Sequence, residues 1–530
     1  MNKTHHNSER QLGGIGHFIR RGAEIYPARV AIDDLLNKRT LTYAELDERV
    51  NKLAQGLLRH GIGRGDFVAA MMWNEHALVE VIFACARIGA IVAPLNVRLI
   101  AGEVKQYCEE HGCRTVIASN AFTEHFEKTD VNIRIAYGAA VADWHDYETI
   151  LEAEEGHPLP IRTSLDDPYR LVMTGGTTGP SKGVLHSQGG TIFTTLSDVV
   201  EYGIGRGWQT VSTLPLYHVA GMEWGVFTIL WRAGTVIFPP TTSFNPLKYI
   251  NEVRSRGVQY LAIVPSMINP LYQAWDGTPI SAPQTVVTTA APTPLPLRTK
   301  LAEIFPQAKL VAGAGLSESL NMACQSEGQF LEHPNSVGEP HIDTRLLILD
   351  EEDRRVPFGT PGHVAVRNFN TALGYHLNEK ASRTTWRKLK DDPEGLEWCF
   401  TGDIAVMDEK GVVSIVDRSK DVILTGGESV PSVEIEAIYA THPSIKESSV
   451  VGVQDEQWGE VIVLVAVPKF STTDDEALAK ELFEFGRARM AGHKVPKRIA
   501  FIEELPRTHF GKVLKRDLRE WNFERLFSAR

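Results

Sequence analysis

The sequence predicts an α/β fold with two parts, a large N-terminal domain of layered sheets and helices and a small α+β C-terminal domain. Three observations carry this. The chain has 530 residues, beyond the roughly 250–300 at which a single core stops growing. Short apolar runs alternate with helix-period segments over about 400 residues, the pattern of largely parallel sheets covered by helices. After the stretch 412–430 the texture changes to a helix, two apolar strands, a second helix and a basic tail.

The elements follow in order. "LTYAELDERVNKLAQGLLRHGI" (residues 41–62) opens with Thr42 and, three residues on, Glu45, the spacing of a capping box. Leu46, Val50, Leu53 and Leu57 then recur at helical spacing, and Gly61 supplies a stop. "DFVAAMM" reads as a buried strand. "ALVEVIFACARIGAIVAPL" (77–95) is the most apolar long stretch, but Glu80, Arg87 and Gly89 divide it into a helix and a short strand and exclude a membrane span. "TVIAS", "TVIFPP" and "YLAIVP" read as further buried strands. In the C-terminal part a helix starts near Ser432, "SSVVGVQ" and "VIVLVAVPK" are strands, and "EALAKELFEFGRARM" is a helix. The domains divide after Arg418, into residues 1–418 and 419–530.

Composition narrows the function. A net charge of −11 argues against a general nucleic-acid or anionic-membrane binder, since both need a basic face. The five cysteines (Cys85, Cys108, Cys113, Cys324 and Cys399) form no CxxC pair and are odd in number, which points to a reducing compartment, the cytoplasm, and not to a disulfide framework or zinc ribbon. The polar start "MNKTHHNSERQLGG" has no apolar stretch of the kind a signal peptide carries.

"LVMTGGTTGPSKGVLHS" (171–187) is built to hold phosphate. Gly175, Gly176 and Gly179 let the backbone approach an anion, Thr174, Thr177, Thr178 and Ser181 supply hydroxyls, and Lys182 supplies a charge. It is not a Walker A loop, because Ser181 precedes the lysine and Gly183 follows it. The loop resembles the phosphate loop of the acyl-adenylate-forming superfamily, usually Thr-Ser-Gly-Thr-Thr-Gly-x-Pro-Lys-Gly, with Gly175 here for the Ser and Pro180-Ser181 for x-Pro. The rest of the chain extends the resemblance in order: "PLYHVAG" (215–221), "GAGLSES" (313–319), "FTGDIA" (400–405), "DRSKDVILTGGESVPSVEIE" (417–436) and "LPRTHFGKVLKR" (505–516). Among that superfamily's members the chain resembles the stand-alone acyl-CoA synthetases.

The resemblance implies roles, residue by residue. Thr174, Gly175, Gly176, Thr177, Thr178, Gly179 and Lys182 hold the ATP phosphates. Glu318, with the Thr174 hydroxyl, holds Mg²⁺, a hard cation that takes oxygen ligands. Asp403 accepts from the ribose hydroxyls and Arg418 assists. Ala290, Ala291 and Pro292 lie beside adenine, with Gly315 and Ser317 nearby. Ala314 stands where the family usually has an aromatic, which removes a stacking contribution on the order of 1 kcal/mol. His218, a catalytic candidate, lines the acyl pocket with Gly221, Trp224 and Ala314. Lys512 reaches the α-phosphate and the carboxylate. Lys420 is the hinge about which the mobile C-terminal domain turns, bringing Gly426, Gly427 and Glu428 to the CoA path.

The reaction so implied joins a carboxylic acid to ATP as acyl-AMP with loss of pyrophosphate, then passes the acyl group to CoA with loss of AMP. The alternative is an adenylating enzyme that loads a separate carrier protein. The apolar, aromatic "PLYHVAGMEW" segment points to a hydrophobic acid, fatty or aromatic. The resemblance allows a monomer or a homodimer.

Overall fold

The computed structural model describes residues 14–161, 163–174, 182–390, 392–425, 428–455, 458–470, 474–507, 512–521, 523 and 525–528. Two large mixed sheets, one of eight strands and one of nine among the described residues, fill most of the N-terminal domain. Their middles are parallel. Ile91–Pro94, Phe67–Met71 and Thr115–Ser119 run side by side in the first, and Tyr260–Ile263, Thr285–Thr288 and Lys309–Leu316 in the second. Parallel strands are covered on both faces by their crossover helices, so they read as continuous apolar runs. Every residue of Thr115–Ser119 and Tyr260–Ile263 is buried.

The helices start and stop where the side chains dictate. Thr42 Oγ1 accepts from the Glu45 N–H at 3.2 Å and Glu45 Oε2 accepts from the Thr42 N–H at 2.7 Å. This reciprocal cap, worth about 1 kcal/mol, opens the Tyr43–Arg59 helix, and Gly61 at φ +81° follows its end. The His76–Ile88 helix is buried almost throughout and ends on left-handed Gly89 before the Ile91–Pro94 strand. Its Glu80 is tolerated there because Arg49 lies 2.7 Å away and Tyr147 donates its hydroxyl at 2.7 Å; Arg49 also grips Glu148 at 2.8 Å. No described helix is long and apolar enough to cross a membrane.

The strand–helix alternation stops earlier than the sequence predicts. Residues 345–418 hold a five-stranded sheet whose pairs are all antiparallel. The reason is local. Asp408 Oδ1 accepts from the N–H groups of Lys410 and Val412, and Gly411 sits at φ +84°, so Glu397–Met407 turns straight back into Val413–Arg418 without a crossover helix. Asp350 does the same beyond Arg345–Leu349, accepting from the N–H groups of Glu352 and Arg354.

The small C-terminal domain has its own core. Ile445–Asp455 and Gly459–Pro468 pair antiparallel along their length, Arg498–Phe501 adds in parallel, and residues of the Ser432–Tyr439 and Asp475–Arg487 helices pack on them. It is tied to the antiparallel sheet by buried Asp417, which accepts from Ser432 N at 2.6 Å and Ser432 Oγ at 2.7 Å.

Replacing Glu80 by Ala leaves a largely buried guanidinium without one of its two carboxylate partners. Urea unfolding is expected to show a loss of about 3 kcal/mol, largely recovered in an Arg49→Met, Glu80→Leu double variant.

Candidate active site

The strand Pro168–Thr174 pairs antiparallel with Lys182–Ser187, and Thr174 faces Lys182 on the last rung. Thr174 Oγ1 donates to the Lys182 carbonyl at 3.3 Å. Gly175, Gly176, Thr177, Thr178 and Gly179, expected to hold phosphate, lie outside the described residues, between these two strands. Lys182 turns its ammonium over the ring of Tyr375, 4.7 Å from the centroid. Tyr375 in turn donates its hydroxyl to Glu318 Oε1 at 2.8 Å. A two-residue strand, Gly374–Tyr375, paired with Lys182–Ser187, makes this link.

Glu318 is presented on the turn of a hairpin between Lys309–Leu316 and Leu320–Cys324. Gly315 makes the turn close: a Cβ there would lie 2.0 Å from the Leu320 carbonyl oxygen. Ser317 is buried, and its carbonyl accepts from His186 Nε2 at 2.7 Å. Burial and the cation of Arg170 push the His186 pKa down to about 3, so the ring is neutral. The two contacts assign its proton to Nε2 and leave Nδ1 to accept from Arg170 Nη2 at 3.3 Å. Arg170 also pairs with Glu223 at 2.5 Å, both side chains being buried.

Asp403 and Arg418 are ladder partners on neighbouring antiparallel strands, and Arg418 Nε meets Asp403 Oδ1 at 2.7 Å. Lys512 comes to the same place from the C-terminal domain. Its pKa is lowered by desolvation and by the Arg418 cation, against the opposing pull of Asp403 and Glu318. The structure therefore gathers Glu318, Asp403, Arg418 and Lys512, which the sequence scatters over its C-terminal half.

His218 caps the short Val219–Met222 helix, its Nδ1 accepting from the Ala220 N–H at 3.2 Å. Burial, then Lys512 and Arg170, push its pKa down to about 3, so it faces the cleft as a neutral ring. Gly221 is required by packing, since a Cβ would lie 2.1 Å from the Pro215 carbonyl oxygen. A π-helical turn, Glu223–Phe227, follows and places Trp224 edge-on to Tyr202, with ring centroids 6.4 Å apart. Ala314 is half-buried and packs on the apolar core beneath the antiparallel sheet. Ala290 follows the Thr285–Thr288 strand at φ +70°, a left-handed conformation that costs a non-glycine residue roughly 1–2 kcal/mol, and Ala291 and Pro292 are exposed beside it. Lys420 lies in an exposed turn, its carbonyl accepting from Arg519 Nη2 at 3.1 Å. Glu428 is exposed on the Glu428–Val430 strand, while Gly426 and Gly427 lie outside the described residues.

Within the "PLYHVAGMEW" segment Glu223 is buried in its ion pair with Arg170. Sequence reasoning missed Tyr375, His186 and Arg170. Each lies on a strand next to a recognised motif, with no spacing of its own to mark it. The one available signal was Arg170 itself, a charge inside the apolar run that leads into the phosphate loop.

Buried neutral histidines make stability depend on pH. His186 and His341, both held near a pKa of about 3, stay unprotonated in the folded chain where the unfolded chain titrates at its ordinary 6.5. Below 6.5 the unfolded state binds the extra protons, so stability falls as pH falls through that window. Urea midpoints at pH 7 and pH 5 are expected to reveal a loss of about 2 kcal/mol per histidine, and His186→Asn to remove its share. An unchanged loss in that variant would contradict the assignment.

Comparison with known proteins agrees with this geometry. Residues 19–376 match the family described as AMP-binding enzyme, and residues 434–512 match the AMP-binding enzyme C-terminal domain. The chain is 30% identical to a feruloyl-CoA synthase of an Amycolatopsis species, over 96% of this chain and 98% of that one. It is 29% identical to the indoleacetate–CoA ligase of Aromatoleum aromaticum, with the same coverage. Among solved structures, ATP-bound MatB from Rhodopseudomonas palustris superposes with a TM-score of 0.85 at 25% identity, covering 95% of this chain and 98% of that one. With a family match over residues 19–376, a hairpin-borne glutamate, an Asp–Arg rung and a lysine delivered by a second domain, the chain belongs to the AMP-binding enzyme family.

Proposed function

We propose that this protein is an AMP-forming acyl-CoA synthetase, an acid:CoA ligase that takes an aromatic carboxylic acid. The observation that carries the reading is the meeting of Lys512, Asp403, Arg418 and Glu318 in one cleft, drawn from both domains. Of the fatty and aromatic acids that the sequence leaves open, the similarity to feruloyl and indoleacetate ligases supports the aromatic.

A carboxylate is a poor acyl donor because its leaving group is oxide. In the first half-reaction the substrate carboxylate oxygen attacks the α-phosphorus of ATP, the bond to the β-phosphate oxygen breaks, and pyrophosphate leaves. The work is positioning and charge stabilisation, and no protein nucleophile takes part. Asp403, its carboxylate steadied by Arg418, accepts from the ribose hydroxyls. Lys182 and the loop after Thr174 hold the β- and γ-phosphates. Lys512 bridges the incoming carboxylate and the α-phosphate. The Glu318 carboxylate and the Thr174 hydroxyl are hard oxygen donors that fit a magnesium ion, which would neutralise phosphate charge when bound. Neutral His218 closes the acyl side without adding a competing charge.

In the second half-reaction the CoA thiol sulfur attacks the acyl carbon, a C–S bond forms, and AMP leaves with the carboxyl-derived oxygen. Lys512 obstructs this approach while seated. The division after Arg418 leaves Lys420 as the hinge about which residues 419–530 turn, withdrawing Lys512 and bringing the segment of Gly426, Gly427 and Glu428 to the thiol path.

AMP release from ATP and Mg²⁺, measured over aromatic and fatty acids with and without CoA, tests the reading. AMP that appears with an aromatic acid only when CoA is present is expected. Acid-dependent pyrophosphate exchange to which CoA adds nothing would transfer the case to a carrier-protein acceptor. Lys512→Ala is expected to slow acyl-AMP formation about 100-fold or more while thioester formation from supplied acyl-AMP survives; equal loss in both steps would sink the role. Tyr375→Phe, which frees Glu318 of its hydroxyl partner, is expected to cost about tenfold in kcat/KM for ATP and to leave CoA transfer from supplied acyl-AMP intact.

A further inference from the structure

Near one edge of the nine-stranded sheet, at the far end of the strand that leaves the Glu318 turn, three side chains with metal-binding atoms come together. Glu201 ends the Gln188–Glu201 helix, Cys324 ends the Leu320–Cys324 strand, and His341 follows the Glu339–Pro340 strand paired with it. One ligand atom from each lies within 4.8 Å of the other two. The reaction proposed above uses none of the three.

The carboxylate and the thiol are already spaced for one ion. Cys324 Sγ and Glu201 Oε2 are 3.7 Å apart. Bonds of about 2.3 Å to sulfur and about 2.1 Å to oxygen, meeting at a tetrahedral angle, set such atoms about 3.6 Å apart. Glu201 Oε1 is occupied, accepting from the Ile342 N–H at 2.8 Å, which fixes the carboxylate and leaves Oε2 to a cation. Lys309 donates its ammonium to the Glu201 carbonyl at 2.8 Å, not to the carboxylate.

His341 supplies an independent sign. It is 2% exposed, and its Nε2 has no hydrogen-bond partner among the described residues. Ser197 gives its hydroxyl hydrogen to Asp343 Oδ1 at 3.0 Å, so it can only accept from His341 Nδ1, 3.1 Å away. This assigns the ring proton to Nδ1 and leaves Nε2 as a bare lone pair in the interior. A metal-bound histidine is oriented in the same way, by a hydrogen bond from its other nitrogen into a polar network. Left unsatisfied, a buried lone pair is costly, and an electron-poor ion relieves it.

We propose that Glu201, Cys324 and His341 form a binding site for a zinc-class divalent cation, held by Glu201 Oε2, Cys324 Sγ and His341 Nε2, with water in the fourth position. A thiolate and an imidazole select a borderline-soft ion of this class over magnesium, which takes oxygen ligands. Binding breaks the Cys324 S–H bond, forms a metal–sulfur bond and releases one proton to solvent. The ion and its water reach the site past Glu201, which is half-buried beside exposed Ile342, while Cys324 and His341 close the inner side. Once bound, the ion clamps the strand that leaves the Glu318 turn to the helix that follows Lys182–Ser187.

The full chain, reduced and freed of metal with a chelator, is titrated with Co²⁺ and then with Zn²⁺. Cobalt is expected to give a thiolate-to-metal charge-transfer band that zinc abolishes and that a large excess of Mg²⁺ leaves in place. Cys324→Ala is expected to remove the band. Calorimetry is expected to show zinc binding at least about tenfold weaker in Glu201→Gln, and about tenfold weaker in Ser197→Ala, which takes the acceptor from His341 Nδ1. Glu201→Gln keeps an acceptor for the Ile342 N–H, so it carries the test even where Cys324→Ala fails to fold. Zinc is also expected to raise the thermal midpoint of the unsubstituted chain by a few degrees, and that of Glu201→Gln far less at the same concentration. The inference is overturned by the lack of a cobalt band, or by a band that survives Cys324→Ala and so belongs to another thiol. Zinc affinity unchanged in Glu201→Gln overturns it too, and moves the ion elsewhere in the chain, as to the His5–His6 pair.

Discussion

The buried ion pair between Arg170 and Glu223 is the constraint on which the site hangs. Arg170 belongs to the strand that leads into the phosphate loop, and Glu223 to the turn behind His218. Through His186 the same guanidinium reaches the carbonyl of Ser317, next to Glu318. One fully buried side chain thus sets three pieces of backbone against each other: the Pro168–Thr174 strand, the turn that carries Glu318, and the Glu223–Phe227 turn. Such a pair adds little net stability, because desolvating two charges consumes most of their attraction. Its value is geometric. A charge in that place has few arrangements open to it, and each element must come to meet it.

Much of this was legible in the sequence, and the parts that were not share a cause. The Thr42–Glu45 cap, the break at Gly89 and the buried parallel strands follow from local spacing, which is a property of neighbours in the chain. The family's motif residues could be matched one by one, and Glu318, Asp403, Arg418 and Lys512 do meet. What sequence could not give was a partnership without a period. Tyr375 is an ordinary aromatic until its strand is seen beside Lys182, and His186 an ordinary polar residue until Arg170 and Ser317 are seen on either side of it. The antiparallel sheet of residues 345–418 was lost because its turns are made by single aspartates, and not by the glycine pairs that announce a hairpin.

The two domains meet around a short stretch with unequal duties. Asp417 is buried and bonded across to the first turn of a C-terminal helix, Arg418 braces Asp403, and Lys420, two residues on, stands in an exposed turn where its carbonyl accepts from Arg519. Buried and exposed positions thus lie within four residues of each other. That arrangement suits the turning of the small domain proposed above.

The bond between Asp417 and Ser432 carries a temporal consequence. If residues 419–530 turn about Lys420 as proposed, these two hydrogen bonds part and re-form once in every catalytic cycle. The closed arrangement is then a waiting room with a latch. Pyrophosphate can leave while the latch holds, but the thioester cannot form until it lifts. The strength of one buried aspartate's grip would thereby set how long the reactive mixed anhydride stays sheltered from water, and the interval between the two products becomes a property of the fold as much as of the chemistry.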